Sequence, residues 1–350
     1  MVKHLAFAVP GDLATPTGGY AYDRRIIAEL VQLGWRVDVI DLGQGFPWPD
    51  PATRSSARRR LLMTPAGGKV VVDGLALGVL PETASEIAGR NRLLALVHHP
   101  LALEKGLSVE QAEALRDSER AALAAARQVV VTSAATARLL GSDYGIPGER
   151  ITIARPGSDP ARSRRSSQDA IVQLLSVGAV VPRKGFDILV AALATLPDLP
   201  WRLTIVGDRT RDRNAALQLD NDIARHGLGD RIATLGAVSQ DHLDRLYAEA
   251  DVFALASHFE GYGMAYAEAV AHGLPVIGTS AGAIPETVPP EAGLLVSAGD
   301  VSALARALRC LISDGDLRRG MAIAARAAAA QLPTWRQSAE TFVRALEKLA

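Results

Sequence analysis

The 350-residue sequence holds one cysteine, Cys310, so an internal disulfide and a cysteine-based zinc finger are both excluded. Neither charge is in excess: 38 Lys and Arg stand against 38 Asp and Glu, with a pI near 7.1. Broad nucleic-acid binding usually shows as a basic surplus, and none is present. No apolar run reaches ~18 residues, the length a transmembrane helix needs. The start, Met1 to Asp12, is interrupted by Pro10 and Gly11 too soon to read as a signal peptide. There is no H-E-x-x-H, and the remaining histidines are scattered, so no metal site is expected; nor is there a dinucleotide-binding G-x-G-x-x-G. These absences predict a soluble, cytoplasmic protein of a reducing compartment.

At ~150 residues per domain, the length predicts two domains, each large enough to bury its own core. Apolar strand-like runs at Leu5–Val9, Arg36–Ile40, Val70–Val72, Leu93–Val97 and Gln128–Thr132 alternate with helical patterns, among them Tyr20–Leu33 and Val109–Arg127. The alternation restarts at Ile171–Val177, with further strands at Trp201–Val206, Arg231–Leu235, Val252–Leu255 and Pro275–Gly278. Such alternation favours right-handed crossovers and parallel sheets covered on both faces. Between the halves, Arg155–Ser167 has turn formers, four arginines and no apolar periodicity, which reads as a solvated junction. The predicted domains are residues 1–160 and 168–331, with a last segment, 332–350, opened by Leu332-Pro333-Thr334. Arg54, Arg58, Arg59 and Arg60 read as an exposed loop; peripheral contact with a membrane is the alternative.

In open α/β sheets, ligands sit at the carboxyl ends of strands, and four motifs lie there. The first runs from His258 through Glu260, Gly261, Tyr262, Gly263, Met264 and Glu268 to Ile277. Glu268 falls in an apolar helical pattern, where a carboxylate needs hydrogen-bond donors; a ribose diol supplies two. Gly261 and Gly263 allow a ligand close to the backbone. If one helix began at Glu260, the two carboxylates would lie ~12 Å apart along it and ~80° around it. That spacing suits separate parts of an elongated ligand better than the flanking acid and nucleophile of a glycosidase. The second motif is Gly178 to Gly185, where Arg183 and Lys184 offer a guanidinium fork and a point charge suited to a diphosphate. The third is Thr17-Gly18-Gly19-Tyr20, opening a helix whose N–H groups favour phosphate. The fourth is His98-His99-Pro100, where a histidine could orient a sugar or an acceptor; the register leaves His98 and His99 open.

The segment E-G-Y-G-M-A-Y-A-E-A-V-A-H-G-L-P-V-I from Glu260 resembles the signature of the retaining family 4 glycosyltransferases. Tyr262, Met264 and Ala265 depart from that family's usual Phe, Leu and Pro. Gly178–Gly185 is similar to its R-K-G segment, and Gly18 and Gly19 to its N-terminal glycine loop. Val206-Gly207-Asp208 resembles its V-G-x-G, with Arg209 in place of the second glycine, and Gly282–Glu286 resembles its G-G-x-P-E.

The resemblance implies an α/β chain of two Rossmann-like domains facing across a cleft (the GT-B fold), with a C-terminal helix crossing back to the N-terminal domain. It implies transfer of a sugar from a nucleotide-diphosphate donor to an acceptor hydroxyl with retention. The donor is then a co-substrate and no metal cofactor is needed; the acceptor is a small molecule, glycan or lipid. Arg183, Lys184, Glu260 and His98 or His99 would be catalytic. Gly18, Gly19, Gly207, Val238, Tyr262, Gly263, Met264 and Glu268 would bind the donor. A nucleotide-sugar epimerase of the same architecture and a non-catalytic sugar-nucleotide-binding subunit are the alternatives.

Overall fold

A computed structural model of the chain describes residues 3–159 and 171–349. They form two units, Met1–Gly157 together with Pro333–Ala350, and Ser158–Leu332. Residues 160–167 of the expected junction lie outside the described residues.

The first unit carries a six-stranded sheet: β1 (Lys3–Val9), β2 (Trp35–Asp41), β3 (Lys69–Asp73), β4 (Arg92–Val97), β5 (Gln128–Val131) and β6 (Ile151–Ile153). Their order is β2-β1-β3-β4-β5-β6 and every pairing is parallel. Val70–Val72, Leu93–Val97 and Val129–Val131 are wholly buried, because helices cover both faces of a parallel sheet and leave no polar side to alternate with. The second unit repeats the plan with β7 (Val172–Val177), β8 (Trp201–Val206), β9 (Ile232–Thr234), β10 (Val252–Ala254), β11 (Val276–Thr279) and β12 (Gly293–Val296). Here the order is β12-β11-β10-β7-β8-β9, again parallel.

The last helix, Trp335–Glu347, is opened by a capping box between Thr334 and Gln337. Its buried face, which includes Trp335, Ala339, Phe342 and Leu346, packs on the first unit. Phe342 stacks on Phe7 at 6.2 Å between ring centroids, and Trp335 meets Tyr22 edge-on at 5.9 Å. Among the described residues, no helix is long and apolar enough to cross a membrane.

The loop expected around Arg54–Arg60 is instead a helix, Pro51–Leu62, started by Asp50 accepting from Thr53 N, with Pro51 in its first turn. Only Ala57 and Leu61 of it are buried, so its apolar stripe is too thin to register as periodicity. Three of its four arginines are engaged internally: Arg54 donates to Val79 O, Arg58 pairs with Glu86 and Arg60 donates to Asp41 O.

Helix Val109–Ala125 buries Glu119 completely, its Oε2 accepting from Leu101 N at 3.0 Å. Burial pushes this carboxyl up to about 8, against the bonds from Leu101 and Tyr144. A carboxyl raised in the folded state is protonated there over a range in which the unfolded chain has released its proton. Stability therefore falls as pH rises between its unfolded value and 8, by ~1.4 kcal/mol per unit. Glu119→Gln, which mimics the neutral acid, is expected to melt progressively above the parent as pH is raised from 5 to 8. A melting-temperature difference that stays flat over that range would contradict this assignment.

Candidate active site

Counted from its own first strand, the second sheet has the order 3-2-1-4-5-6, which reverses between β7 and β10. At such a switch point the loops leaving two neighbouring strands diverge to opposite faces and open a crevice. The loop after β7 is the tight turn Pro182–Lys184, and the loop after β10 runs to Gly263. They are tied together: His258 N donates to Arg183 O at 2.8 Å, and Arg183 Nη1 donates to Phe259 O at 2.7 Å. Gly185 ends the turn at φ +64, and a Cβ there would stand 2.1 Å from Ala256 O. The stem of Lys184 runs over Gly178, and at Gly207 a Cβ would stand 1.8 Å from Gly178 O. Only glycine lets the loops after β7 and β8 approach this closely.

Lys184 Nζ lies 2.6 Å from Glu260 Oε1 and Arg183 Nη1 3.3 Å from Glu260 Oε2. Ser257 Oγ also donates to Oε1, at 2.7 Å. Glu260 is buried, which by itself would raise its carboxyl; the charges of Lys184 and Arg183 and the two hydrogen bonds outweigh this and bring it down to about 2. The helices that follow the two loops, Phe186–Ala194 and Met264–Ala271, both start at a left-handed glycine with no side-chain cap. Their N-termini therefore add positive potential at the same point.

Glu268, on helix Met264–Ala271, accepts from Tyr247 Oη at 2.9 Å. Tyr247 is wholly buried and stacks on His272 at 4.8 Å. Burial pushes the Glu268 carboxyl up to about 7, against the Tyr247 bond, which lowers it. Tyr247→Phe removes a bond that favours the carboxylate. If Glu268 accepts from a nucleotide, as the resemblance implies, the pH below which it stops doing so should therefore rise, and affinity at pH 7 should fall by roughly 5- to 10-fold. Nucleotide dissociation constants measured between pH 6 and 8.5 check this; an unshifted midpoint would mean that Tyr247 is only packing.

In the first unit the sheet order reverses between β1 and β3. Helix Gly18–Gln32 opens after β1, capped by Thr17 accepting from Tyr20 N. A Cβ on Gly19 would meet the His98 ring at 3.3 Å, so the glycine pair and His98 are neighbours. His98 Nε2 lies 2.9 Å from Asp23 Oδ1 and 3.5 Å from Asp73 Oδ2. His99 instead faces Glu104, at 3.5 Å.

Arg183, Lys184 and Glu260 thus meet at one point, with Glu268 one helix beyond, and Tyr262, Gly263 and Met264 form the turn between the two glutamates. Gly207 lies against the Gly178 loop, and Val238 is half-buried after β9, packed on the core. The helix begins at Met264, after the left-handed Gly263, so the spacing worked out for a helix starting at Glu260 does not apply. Glu260 therefore sits in the loop, turned onto the two cations. Arg209, which replaces a family glycine, leaves the strand end intact by pairing with Asp220 and Thr234. Ser257, Tyr247, Asp23 and Asp73 were not legible as site residues. Tyr247, Asp23 and Asp73 lie on elements remote in sequence from their partners, and Ser257, three residues before Glu260, is a residue type common in any loop.

Residues 161–328 match the family model described as glycosyl transferases group 1. The chain is 31% identical over 271 residues to the D-inositol 3-phosphate glycosyltransferase of Nocardia farcinica, over 70% of this chain and 59% of that protein. It thus spans about three-fifths of that relative's length. Among solved structures, it is similar to sucrose-phosphate synthase from Thermosynechococcus elongatus, with a TM-score of 0.84, 22% identity and 99% of each chain covered. It is also similar to Anabaena HepE in complex with UDP-glucose, with a TM-score of 0.78, 21% identity, and 98% of this chain and 99% of that one covered.

Proposed function

Because this chain belongs to the group 1 glycosyltransferases and has the GT-B fold, we propose that it moves a sugar from a nucleotide-diphosphate donor to an acceptor hydroxyl with retention of anomeric configuration. The observation that carries this is the meeting of Arg183, Lys184 and Glu260 at the switch point of the second sheet, with Glu268 on the adjoining helix. The UDP-glucose complex of HepE supports a nucleotide sugar as the donor.

As the glycosidic bond breaks, its electron pair goes to the departing diphosphate while the acceptor oxygen bonds to the anomeric carbon and its proton passes to the phosphate oxygen that is leaving. Arg183 and Lys184 supply fixed positive charge where negative charge grows, which favours the transition state over the bound donor without requiring a metal ion. Glu260 holds both cations in place and turns its remaining acceptor capacity to the sugar. Glu268 accepts from the ribose hydroxyls. Tyr262, Gly263 and Met264 line the sugar end with backbone; on the first unit, Gly18, Gly19 and His98 serve substrate.

A thermal-shift panel of UDP, GDP, ADP and their sugar derivatives tests the reading, because a ligand that binds the native state raises its melting temperature. One nucleotide series is expected to stabilise the protein, its sugar form turning over in the parent but not in Glu268→Ala. A flat panel, or undiminished turnover in that variant, would overturn it.

A further inference from the structure

We infer that Asp23 and Asp73 are positioning residues that hold the His98 ring with Nε2 turned into the protein, leaving Nδ1 as the ring nitrogen that meets the substrate. This rests on the reading above, in which His98 serves substrate, and adds how the ring is set and which atom acts.

Three separate elements build the arrangement. Asp23 lies on helix Gly18–Gln32 with no exposure to solvent. Asp73 ends β3, one oxygen accepting from Leu75 N at 2.7 Å, which fixes the carboxyl. His98 follows the last residue of β4. All three converge at the strand ends next to the reversal of the first sheet, offering atoms within 4.8 Å of one another. Tyr22 meets the imidazole edge-on at 5.2 Å, and the Gly19 backbone closes against Cδ2.

The ring is thereby fixed in orientation as well as in place. Rotating it by half a turn would exchange Nε2 for Cε1 and set a carbon against two buried carboxyls, leaving Asp23 without the bond that offsets its burial. With Nε2 committed to Asp23, Nδ1 is the remaining polar atom of the ring, and no hydrogen bond to it is found among the described residues.

The charged groups facing His98 are Asp23 and Asp73. Burial pulls its titration down, but the charge and hydrogen bond of Asp23 and the charge of Asp73 outweigh this and raise it. Asp73 itself is pushed up to about 7, by burial first and then by Asp23, against His98. Two carboxyls this close need a proton or a cation between them, and the imidazolium supplies one. A charged His98 carries a proton on Nδ1 as well, so it presents a donor to a sugar or phosphate oxygen, where the neutral ring with its proton on Nε2 would offer an acceptor.

The test reads His98 directly by nitrogen NMR on the full chain, in the parent and in Asp23→Asn and Asp73→Asn. In the parent, the neutral form should carry its proton on Nε2, and His98 should titrate above an ordinary histidine. Asp23→Asn should lower that midpoint and mix the tautomers. Asp73→Asn, which replaces a group titrating near neutrality, covers the case in which Asp23→Asn does not fold and should lower the midpoint less. With UDP-glucose as the probe donor, Asp23→Asn should cut kcat on the order of 10-fold or more. It should also bring the alkaline limb of the pH profile down, and cost nothing further in a His98→Ala background.

Unchanged His98 resonances, or an equal cost in both backgrounds, would overturn the inference. So would Mn²⁺ broadening His98 at stoichiometric amounts in the parent but not in Asp73→Asn, because the cluster would then be a cation site. The NMR readout needs no substrate. A locked tautomer in a protein that turns over no sugar nucleotide would count against the proposed function and leave the positioning role standing.

Discussion

Lys184→Met is expected to cut turnover of the sugar-nucleotide donor by roughly 10²- to 10³-fold, the scale of removing one fixed charge aimed at a growing anion. It should also cost stability, for a separate reason. Lys184 is the larger of the two charges that bring buried Glu260 down to about 2. A carboxyl lowered in the folded state contributes stability that is present above its unfolded value and is lost as pH falls through the folded one. Without Lys184 that window narrows, so acid unfolding should begin at a higher pH, and at pH 7 the half-compensated carboxylate should cost ~1–3 kcal/mol.

The two effects separate in the double variant Lys184→Met, Glu260→Gln. Removing the stranded charge should restore much of the stability, because it removes both partners of the pair, whereas turnover should stay low. Chemical denaturation and donor turnover, measured side by side, check this. A double variant that regained turnover together with stability would make the ion pair purely structural.

Gly185→Ala is expected to do comparable damage through the backbone. The residue sits at φ +64, and a Cβ would stand 2.1 Å from the carbonyl of Ala256, on the strand end that leads to Ser257 and Glu260. An alanine must either adopt a conformation costing ~1–2 kcal/mol and displace that carbonyl, or let the turn swing away. In both cases the Arg183 and Lys184 side chains lose their register with Glu260. The expected result is a loss of at least ~2–3 kcal/mol in unfolding free energy together with nucleotide affinity. Gly229, with nothing within 4 Å of its would-be Cβ and no positive φ, is the control, and its alanine variant should behave as the parent. If Gly185→Ala melts and binds nucleotide like the parent, the account of how the two loops are held together fails.

The strands were legible wherever burial on both faces made them continuous apolar runs, as in Leu93–Val97 and Trp201–Val206. β6, three residues long and only half-buried, lacked that signal. The helices Pro51–Leu62, Pro81–Arg90 and Ala134–Tyr144 went unread for a related reason, since each has few buried positions and the first is dominated by arginine. At the site, residue types and their places after strands were legible, but glycines and adjacent cations there are common in ordinary turns, and it was the family resemblance that singled them out. What the sequence hid was pairing. Nothing in the spacing between Lys184 and Glu260, 76 residues apart, says that they form an ion pair. Likewise, nothing near His98 points to Asp23, 75 residues away. Such contacts come from strand order, which places β10 beside β7 and β3 beside β1, and strand order is a property of the folded sheet.

Affinity for a nucleoside diphosphate compared with its monophosphate probes the second unit most directly. The pair tested is whichever base gives the largest thermal shift, titrated calorimetrically into the parent, Lys184→Met and Glu268→Gln. The parent should prefer the diphosphate, Lys184→Met should erase that preference, and Glu268→Gln should weaken both ligands by a similar factor while keeping it. Equal affinity for the two ligands in the parent, or a preference untouched by Lys184→Met, would contradict a site in which these cations hold the diphosphate.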